Sequence, residues 1–594
     1  MDEVNISYPR FGVNPPHPAT DRAIYLVVFR LTVVAMSWAF EYHANNGRRY
    51  LYAVEKRRTP KGPRNTRYVY LGTAETLLKR LATPGKPLKS FEFGKLAALV
   101  HAAQATGLLE ALSRHAPRGL FDGYSVEHIL FLQMAARVER PLSREGMAEW
   151  ISESALPLIL PATGHPSSRT IRRYLKRLYG AGEGAQRGEG LLSRAVTHRI
   201  ETHVFKTLWT QGIDPRWMLF DTTNFFAYHE EGHYLKRAHS KQKRYDKLHV
   251  GLGLVTLGNL PVLTEVYPAN EGDAKVFSRV FDALVKRLVD LEVATDRLVM
   301  VFDRGINSLE NFGKVREMMH VIAALNRQQG QPFFRVPLEK YGPAGTDSEG
   351  KPVLGFPAQW KGVGQDWRVL VTYREATARK EANTWEDVRT RVLAQVEKWR
   401  KTPARKEKAL RRKLTQLIPK PYQAEFEVTV ETVEVQRKGK TVRGYLPVVR
   451  VAVEAEERLR ASFGKTAVIT DLAEEELTAE KLVEGFVARA EVEEDFKWLK
   501  DGHVVSVKPF WVWHDATVAG HTFLCVMGLL LLRYLQWELR ELDLSIKELV
   551  MELEKIRVVM VRGEDGKPQM VLERMSRQGA MMFSKLNLGS FIPT

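Results

Sequence analysis

Trp217-Met218-Leu219-Phe220-Asp221-Thr222-Thr223 and Leu298-Val299-Met300-Val301-Phe302-Asp303-Arg304-Gly305 follow one plan, an unbroken apolar run closed by a single acid. Short apolar runs without polar alternation, bounded by turn residues, read as strands buried on both faces. Strand ends are where α/β folds place polar site residues, because the backbone there is rigid and the side chain emerges from the core. One such Asp is commonplace as a turn former or helix cap, and two are structural about as often as functional. Their surroundings strengthen the α/β reading. His249 to Thr256 and Pro261 to Tyr267 read as two further strands, with Gly258-Asn259 at the turn between them. Asp273 opens a helix with Phe277, Val280, Phe281, Leu284 and Leu288 on one face, a second helix is capped near Ser308, and His320 to Leu325 reads as the next strand.

A third acid is singled out by helical geometry in Phe486-Val487-Ala488-Arg489-Ala490-Glu491-Val492-Glu493-Glu494-Asp495-Phe496-Lys497-Trp498-Leu499-Lys500. With Arg489 at zero, about 100° per residue puts Glu493 near 40°, Lys500 near 20° and Phe486 near 60°, roughly one stripe. Glu494, Glu491 and Asp495 fall near 140°, 200° and 240°, roughly the other faces. Such a stripe also suits a solvated salt-bridge ladder. Three converging carboxylates would hold two Mg²⁺ ions about 4 Å apart, with Mn²⁺ as a substitute, one activating an attacking oxygen and one stabilising the leaving oxygen. Arg489 and Lys500 beside the glutamate would then clamp phosphate oxygens.

Taken together, Asp221-Thr222-Thr223, Asp303-Arg304-Gly305 and a helix with aromatic-x2-Arg-x3-Glu-x6-Lys resemble the DDE transposases of bacterial insertion sequences. The narrower resemblance is to the group with a tyrosine–arginine–glutamate–lysine signature. Ser240-Lys241-Gln242-Lys243-Arg244, Asn270-Glu271-Gly272-Asp273, Trp513-His514 and Gly520-His521 add to it, so the likeness spans roughly residues 210 to 540. The resemblance implies a ribonuclease H-like catalytic core interrupted by a β-rich insertion. It implies Asp221, Asp303 and Glu493 as metal ligands and catalytic residues, and Arg489, Lys500, Lys241, Arg244 and Arg304 at DNA phosphates. Phe486 stands where the signature has tyrosine, which removes a hydroxyl able to bond a phosphate. In relatives an insertion-domain aromatic stacks on a flipped base; Trp360 and Trp367 are the candidates here, with core packing as the alternative for both.

Outward from this core, residues 1–115 read as a β-rich basic region containing Ile24 to Phe29, Arg49 to Val54 and Arg67 to Leu71. Its connector Lys56-Arg57-Arg58-Thr59-Pro60-Lys61-Gly62-Pro63-Arg64 is a turn suited to a phosphate or to plain solvent. Residues 116–205 read as helical, with Ser125 and Ser143 as caps. In Ser167-Ser168-Arg169-Thr170-Ile171-Arg172-Arg173-Tyr174-Leu175-Lys176 a serine cap and an apolar inner face carry Arg169, Arg172, Arg173 and Lys176 outward. That describes a helix-turn-helix recognition helix or an ordinary basic surface helix. Residues 206–335 form the first part of the core, 336–472 the β-rich insertion, 473–541 the second part, and 542–594 a tail available for oligomerisation.

Lys and Arg outnumber Asp and Glu by 89 to 70 in 594 residues, giving a net charge of +19 that suits a polyanionic partner. The single cysteine, Cys525, excludes an intrachain disulfide and a Cys-rich zinc site. No signal-peptide pattern follows Met1, and the apolar run Thr522 to Leu532 reads as a buried helix too short to span a bilayer. The expected setting is cytoplasmic and nucleoid-associated, the expected partner double-stranded DNA, and the expected assembly a homodimer at paired element ends. His229, His233 and His239 share no regular face and read as surface or DNA-facing residues rather than zinc ligands. Gly251-Leu252-Gly253 lacks the third glycine of a nucleotide loop, Arg405 to Lys413 reads as a solvated face, and His521 as a core histidine. The expected function is transposition. A catalytically silent DNA-binding descendant and a stand-alone metal-dependent nuclease are the alternatives.

Overall fold

The computed structural model describes residues 36–592 apart from 46–47, 60–61, 75, 77–86, 117–119, 122–123, 162–164, 172–192, 214–216, 303–308, 363, 438–439, 511–514 and 563–567. The chain divides into two compact units, Met1–Lys86 with Gly563–Asp565, and Pro87–Arg562 with Gly566–Thr594. The first unit therefore ends before residue 115. Helix Gly94–Ala105 buries Leu96, Ala97, Leu99 and Val100 in the core of the second unit instead. The described part of the first unit is an antiparallel sheet of Met36–Asn45, Arg48–Thr59 and Gly62–Gly72, taken in that order. Ile24 to Phe29 lies outside the described residues.

The second unit is mixed α/β. Its nine-stranded sheet contains β1 (Trp217–Ala227), β2 (Leu248–Leu257), β3 (Leu260–Pro268), β4 (Val299–Phe302), β5 (His320–Ala324), β6 (Gly342–Thr346), β7 (Pro352–Gly362), β8 (Gln365–Tyr373) and β9 (Lys465–Thr470), in the order β6-β7-β8-β9-β5-β4-β1-β2-β3. β1, β2 and β3 form an antiparallel meander, while β1, β4 and β5 run parallel. β9 pairs antiparallel with β5 and continues into β8, β7 and β6. Four strands of the expected insertion thus extend the main sheet. Only residues 375–463 build a core of their own, in which helices Glu375–Arg400, Glu407–Leu417 and Val453–Ala461 pack Trp385, Val392, Leu414 and Leu459 beside the hairpin Phe426–Arg437/Lys440–Val451.

Four helices position the site: α1 (Asp273–Asp290), α2 (Leu309–Arg316), α3 (Ala479–Trp498) and α4 (Asp515–Glu538). α3 lies close on the sheet because position 485 is glycine. A Cβ there would stand 2.7 Å from the Trp217 ring of β1 and 3.0 Å from Ile322 of β5. α4 is longer than the apolar run read from sequence and is apolar and long enough to cross a membrane; its span Thr517–Glu538 is 94% buried in the protein core. The tail is folded into the second unit, since Arg557–Arg562 pairs antiparallel with Pro87–Glu92.

Upstream, Ser143 Oγ accepts the Gly146 amide at 3.1 Å and Ser167 Oγ accepts that of Thr170 at 3.1 Å, both N-cap bonds. Ser125 stands at a helix N-cap without such a bond, its hydroxyl paired with His128 Nδ1.

Candidate functional site

Asp221 does not end its strand. β1 runs on to Ala227, and its described pairing with the parallel strand β4 reaches Phe220 opposite Phe302. From Asp221 onward β1 is paired with β2 among the described residues, and Asp221 is half-buried directly after Phe220, the last described partner of β4. Its Oδ1 accepts the Thr222 amide at 2.7 Å. Asp303 and Arg304, next in sequence after Phe302, lie outside the described residues, as do Trp513 and His514.

The long connection from β1 to β2 folds back to meet Asn224 of β1. Asn224 Nδ2 donates to the His239 carbonyl at 2.8 Å, and Asn224 Oδ1 accepts the Lys241 amide at 3.3 Å. Ser240 Oγ accepts the Arg244 amide at 2.8 Å and lies 2.9 Å from His249 Nε2. Asp515, opening α4, accepts the amides of His233 and Tyr234 at 2.8 and 3.1 Å. This scaffold delivers Lys241 Nζ to the Thr222 carbonyl, one residue from Asp221.

Lys500, just past α3, donates from Nζ to Thr223 Oγ1 at 2.6 Å. Lys508 joins from the following irregular segment, its Nζ 4.0 Å from the centre of the Phe226 ring. Burial, with Lys241 and Lys508 beside it, holds Lys500 down at about 8, while Asp221 works the other way. Lys508 is lowered by burial and by Arg244. Arg244 is partly engaged, with Nε and Nη2 on Asp246 at 2.9 and 2.8 Å and its guanidinium 4.9 Å from the Phe226 ring.

α3 sorts its acids by direction. Glu493 is exposed, 3.6 Å from Arg489, whose guanidinium lies 5.1 Å from the centre of the Phe486 ring. The aromatic, Arg and Glu of the stripe are thus in contact in sequence, and a phenyl ring suffices as the platform. Glu494 and Asp495 turn to Arg533 of α4, at 3.0 and 2.7 Å. Burial pushes Asp495 up to about 7 against the pull of Arg533, and pushes Glu491 up to about 7 as well.

Tyr267, near Asp221, escaped the sequence reading as a site residue, as did Lys508. Tyr267 of β3 is buried, and its hydroxyl meets Thr222 and Asp273; burial first, then the charges of Asp273 and Asp221, raise its pKa. Gly251 makes that possible, because a Cβ there would stand 2.4 Å from the Tyr267 ring. A glycine directly opposite a tyrosine on adjacent strands is the signal, but it is legible only once the register is known.

The remaining assignments divide. Arg169 is exposed in residues 168–171, whereas Arg172, Arg173 and Lys176 lie outside the described residues. Trp367 is 1% exposed against Phe312, so it is a core residue and has no face for a base; Trp360 is half-buried on the same sheet. His521 is a core histidine, its Nε2 2.8 Å from the Val507 carbonyl and burial holding it down to about 3. His233 and His239 are exposed, but His229 is buried beside Phe510, a correction to its reading as a surface residue. The acidic turn that follows it, Glu230-Glu231-Gly232, gave no periodicity from which to see that cover.

Among the described residues no group of three His, Cys, Asp or Glu is close enough to hold a metal ion. Residues 214–504 match the family model described as the transposase DDE domain. No curated protein matches the chain. Among solved structures, the cryo-EM structure of a piggyBac transposase synaptic complex with hairpin DNA is similar at a TM-score of 0.35 and 8% identity, over 83% of this chain and 85% of that one. The matched span runs from just before β1 to just past Lys500, taking in Asp221, α3 and the sheet that joins them, so residues 214–504 are identified as a transposase DDE domain.

Proposed function

We propose that this transposase cuts DNA at the ends of an insertion sequence and joins the freed 3′ ends to target DNA, with Asp221, Asp303 and Glu493 holding two divalent ions, Mg²⁺ or Mn²⁺. The observation that carries the reading is Asp221 on β1 beside the parallel strand β4, with Lys241 and Lys500 bonded to the two threonines that follow it. The donor set fits the ions, since hard cations of this kind take carboxylate oxygens, and Glu493 is left facing outward while Glu494 and Asp495 serve Arg533. An antiparallel meander whose first strand pairs in parallel with β4, and through it with β5, supports the ribonuclease H-like reading. When bound, the ions supply charge stabilisation to both oxygens of an in-line displacement. The chain's own residues do the positioning. Lys500 and Lys241 neutralise the phosphate beside Asp221, Arg489 does so beside Glu493, and Arg304 follows Asp303. Arg244 exchanges its exposed partner Asp246 for phosphate at small cost. Arg169, Arg172, Arg173 and Lys176 engage duplex DNA at the element ends, and two copies bring a pair of ends together.

The deciding assay is Mg²⁺-dependent nicking and joining of a supercoiled plasmid carrying the element's ends, with wild type beside Asp221→Asn. Wild-type nicking and joining that the substitution removes supports the proposal. Binding of the ends without cutting by either protein would favour the silent DNA-binding alternative, and cutting without joining the nuclease.

Lys500 gives a pH signature. Its depressed pKa means that the folded chain disfavours the charged form; the cost is present below about 8 and is relieved as pH rises toward the ordinary lysine range. A bound phosphate favours the charged form, so DNA affinity falls as pH is raised through about 8. Lys500→Met should flatten that pH dependence and leave the melting temperature no lower than wild type. Identical pH slopes for the two proteins by fluorescence anisotropy would remove Lys500 from the interface.

A further inference from the structure

The three-stranded sheet of the first unit carries a face that the chemistry at Asp221 does not use. Cross-strand pairing sets Glu41 opposite Tyr52, Tyr52 opposite Tyr70, and His43 opposite Tyr50. Directly opposite residues share a face, and Tyr68, opposite Val54, joins the same one. The ring geometry agrees: centroids lie 4.8 Å apart for His43 and Tyr52, 5.2 Å for Tyr52 and Tyr70, and 5.9 Å for Tyr50 and Tyr70. The outer strand is the open part, with Tyr68 52% and Tyr70 56% exposed.

Charge says what such a face would meet. Residues 36–72 hold eight Lys and Arg against two acids, Glu41 and Glu55. Glu41 is taken by Lys56 at 2.7 Å, and Glu55 is buried. Arg49 precedes Tyr50 on the central strand and Lys56 follows Tyr52 by four residues, while Arg64 and Arg67 are exposed on the outer strand, so cations adjoin the tyrosines along the same strands. A second copy of so basic a surface would be repelled by the first. A duplex keeps its base faces stacked inside and would meet only the cations. An unpaired strand offers both phosphates for the cations and free base faces for the rings, the pairing that aromatic sheet platforms use.

We infer that this sheet is a binding platform for single-stranded nucleic acid, with bases stacking on Tyr68 and Tyr70 and phosphates meeting the basic residues of the same strands. The site is separate from metal-dependent strand cleavage and stands whether or not that chemistry is as proposed.

The test uses the full chain without divalent metal and fluorescence anisotropy on a labelled oligo(dT) of about 20 nucleotides, against a duplex of the same length. Tyr68→Ala with Tyr70→Ala should weaken oligo(dT) binding by on the order of 10²-fold, since each stacked base contributes about tenfold or more. Duplex affinity and the melting temperature should be unchanged. Tyr68→Phe with Tyr70→Phe should bind as wild type, because the ring and not the hydroxyl stacks. An oligo(U) arm tells RNA from DNA as the source of the strand, and tight binding of either that needs the rings supports the platform. Equal oligo(dT) binding by wild type and the Ala pair overturns it, as does a Phe pair as defective as the Ala pair. A changed oligomeric state in the Ala pair would make the face a self-interface and would overturn it too.

Discussion

Glu493→Gln will abolish Mg²⁺-dependent nicking while leaving binding of the element ends intact, and Glu494→Gln beside it will retain most activity. Glutamine keeps the shape of the side chain and removes one negative charge. If that charge helps to hold a divalent ion, several kcal/mol of transition-state stabilisation go with it, a loss on the order of 10³-fold in rate. The neighbouring acid is the control because the structure gives it different work. Glu493 lies outward near Arg489, which rests on Phe486, whereas Glu494 accepts from Arg533 at 3.0 Å. The Glu494→Gln variant would keep an oxygen for that bond, and Asp495 would still neutralise Arg533. Single-turnover nicking on a plasmid, with end binding measured in parallel by anisotropy, separates a chemical defect from a binding one. Equal losses in both variants would mean that the stripe on α3 does not select the acting acid, and loss of end binding in Glu493→Gln would assign it a structural part.

That stripe was legible because it depends only on helical spacing within one segment. So were β2 and β3, read as His249 to Thr256 and Pro261 to Tyr267 and found as Leu248–Leu257 and Leu260–Pro268. What the sequence could not show depends on contacts between distant segments. β1 reads as stopping at Asp221 because Thr222, Thr223 and Asn224 break the apolar run. It continues because the returning loop covers these polar groups, His239 and Lys241 meeting Asn224, and Lys500 meeting Thr223. Strands β6 to β9 read as a separate block because the pairing of β9 with β5 is made by backbone groups, which leave no mark on residue pattern. Lys508 sits in an irregular stretch with no period to exploit. The phenyl at position 486 is the converse case. The missing hydroxyl looks like a lost phosphate contact in sequence, yet the ring still supports Arg489.

Asp495→Ala will destabilise the second unit by about 3–5 kcal/mol, the cost of stranding a buried cation. Arg533 is 3% exposed within the apolar α4, and its Nε donates to the fully buried Asp495 at 2.7 Å. Its other nitrogens meet Glu494 and Gln536 at 3.0 and 2.8 Å. Without Asp495 the half-exposed Glu494 remains the neighbouring counter-charge, and the guanidinium keeps its desolvation cost. A chain of two compact units need not melt in one step, so the quantity to follow is the denaturation midpoint of a probe in the second unit. Asp495→Leu with Arg533→Met removes both charges and should recover most of the loss, as apolar replacements of buried pairs do. An Asp495→Ala midpoint equal to wild type would show that the pair does not hold α3 against α4. The double variant then asks about function. The same helix carries Glu493 outward and Asp495 inward, so the clamp fixes the rotation of α3 and with it the direction of the acid. A double variant that folds with a wild-type midpoint but nicks plasmid poorly, while still binding the ends, would assign the Asp495–Arg533 pair to positioning. Full activity in that variant would mean that the Gly485 contact with Trp217 and Ile322 is enough to orient the helix.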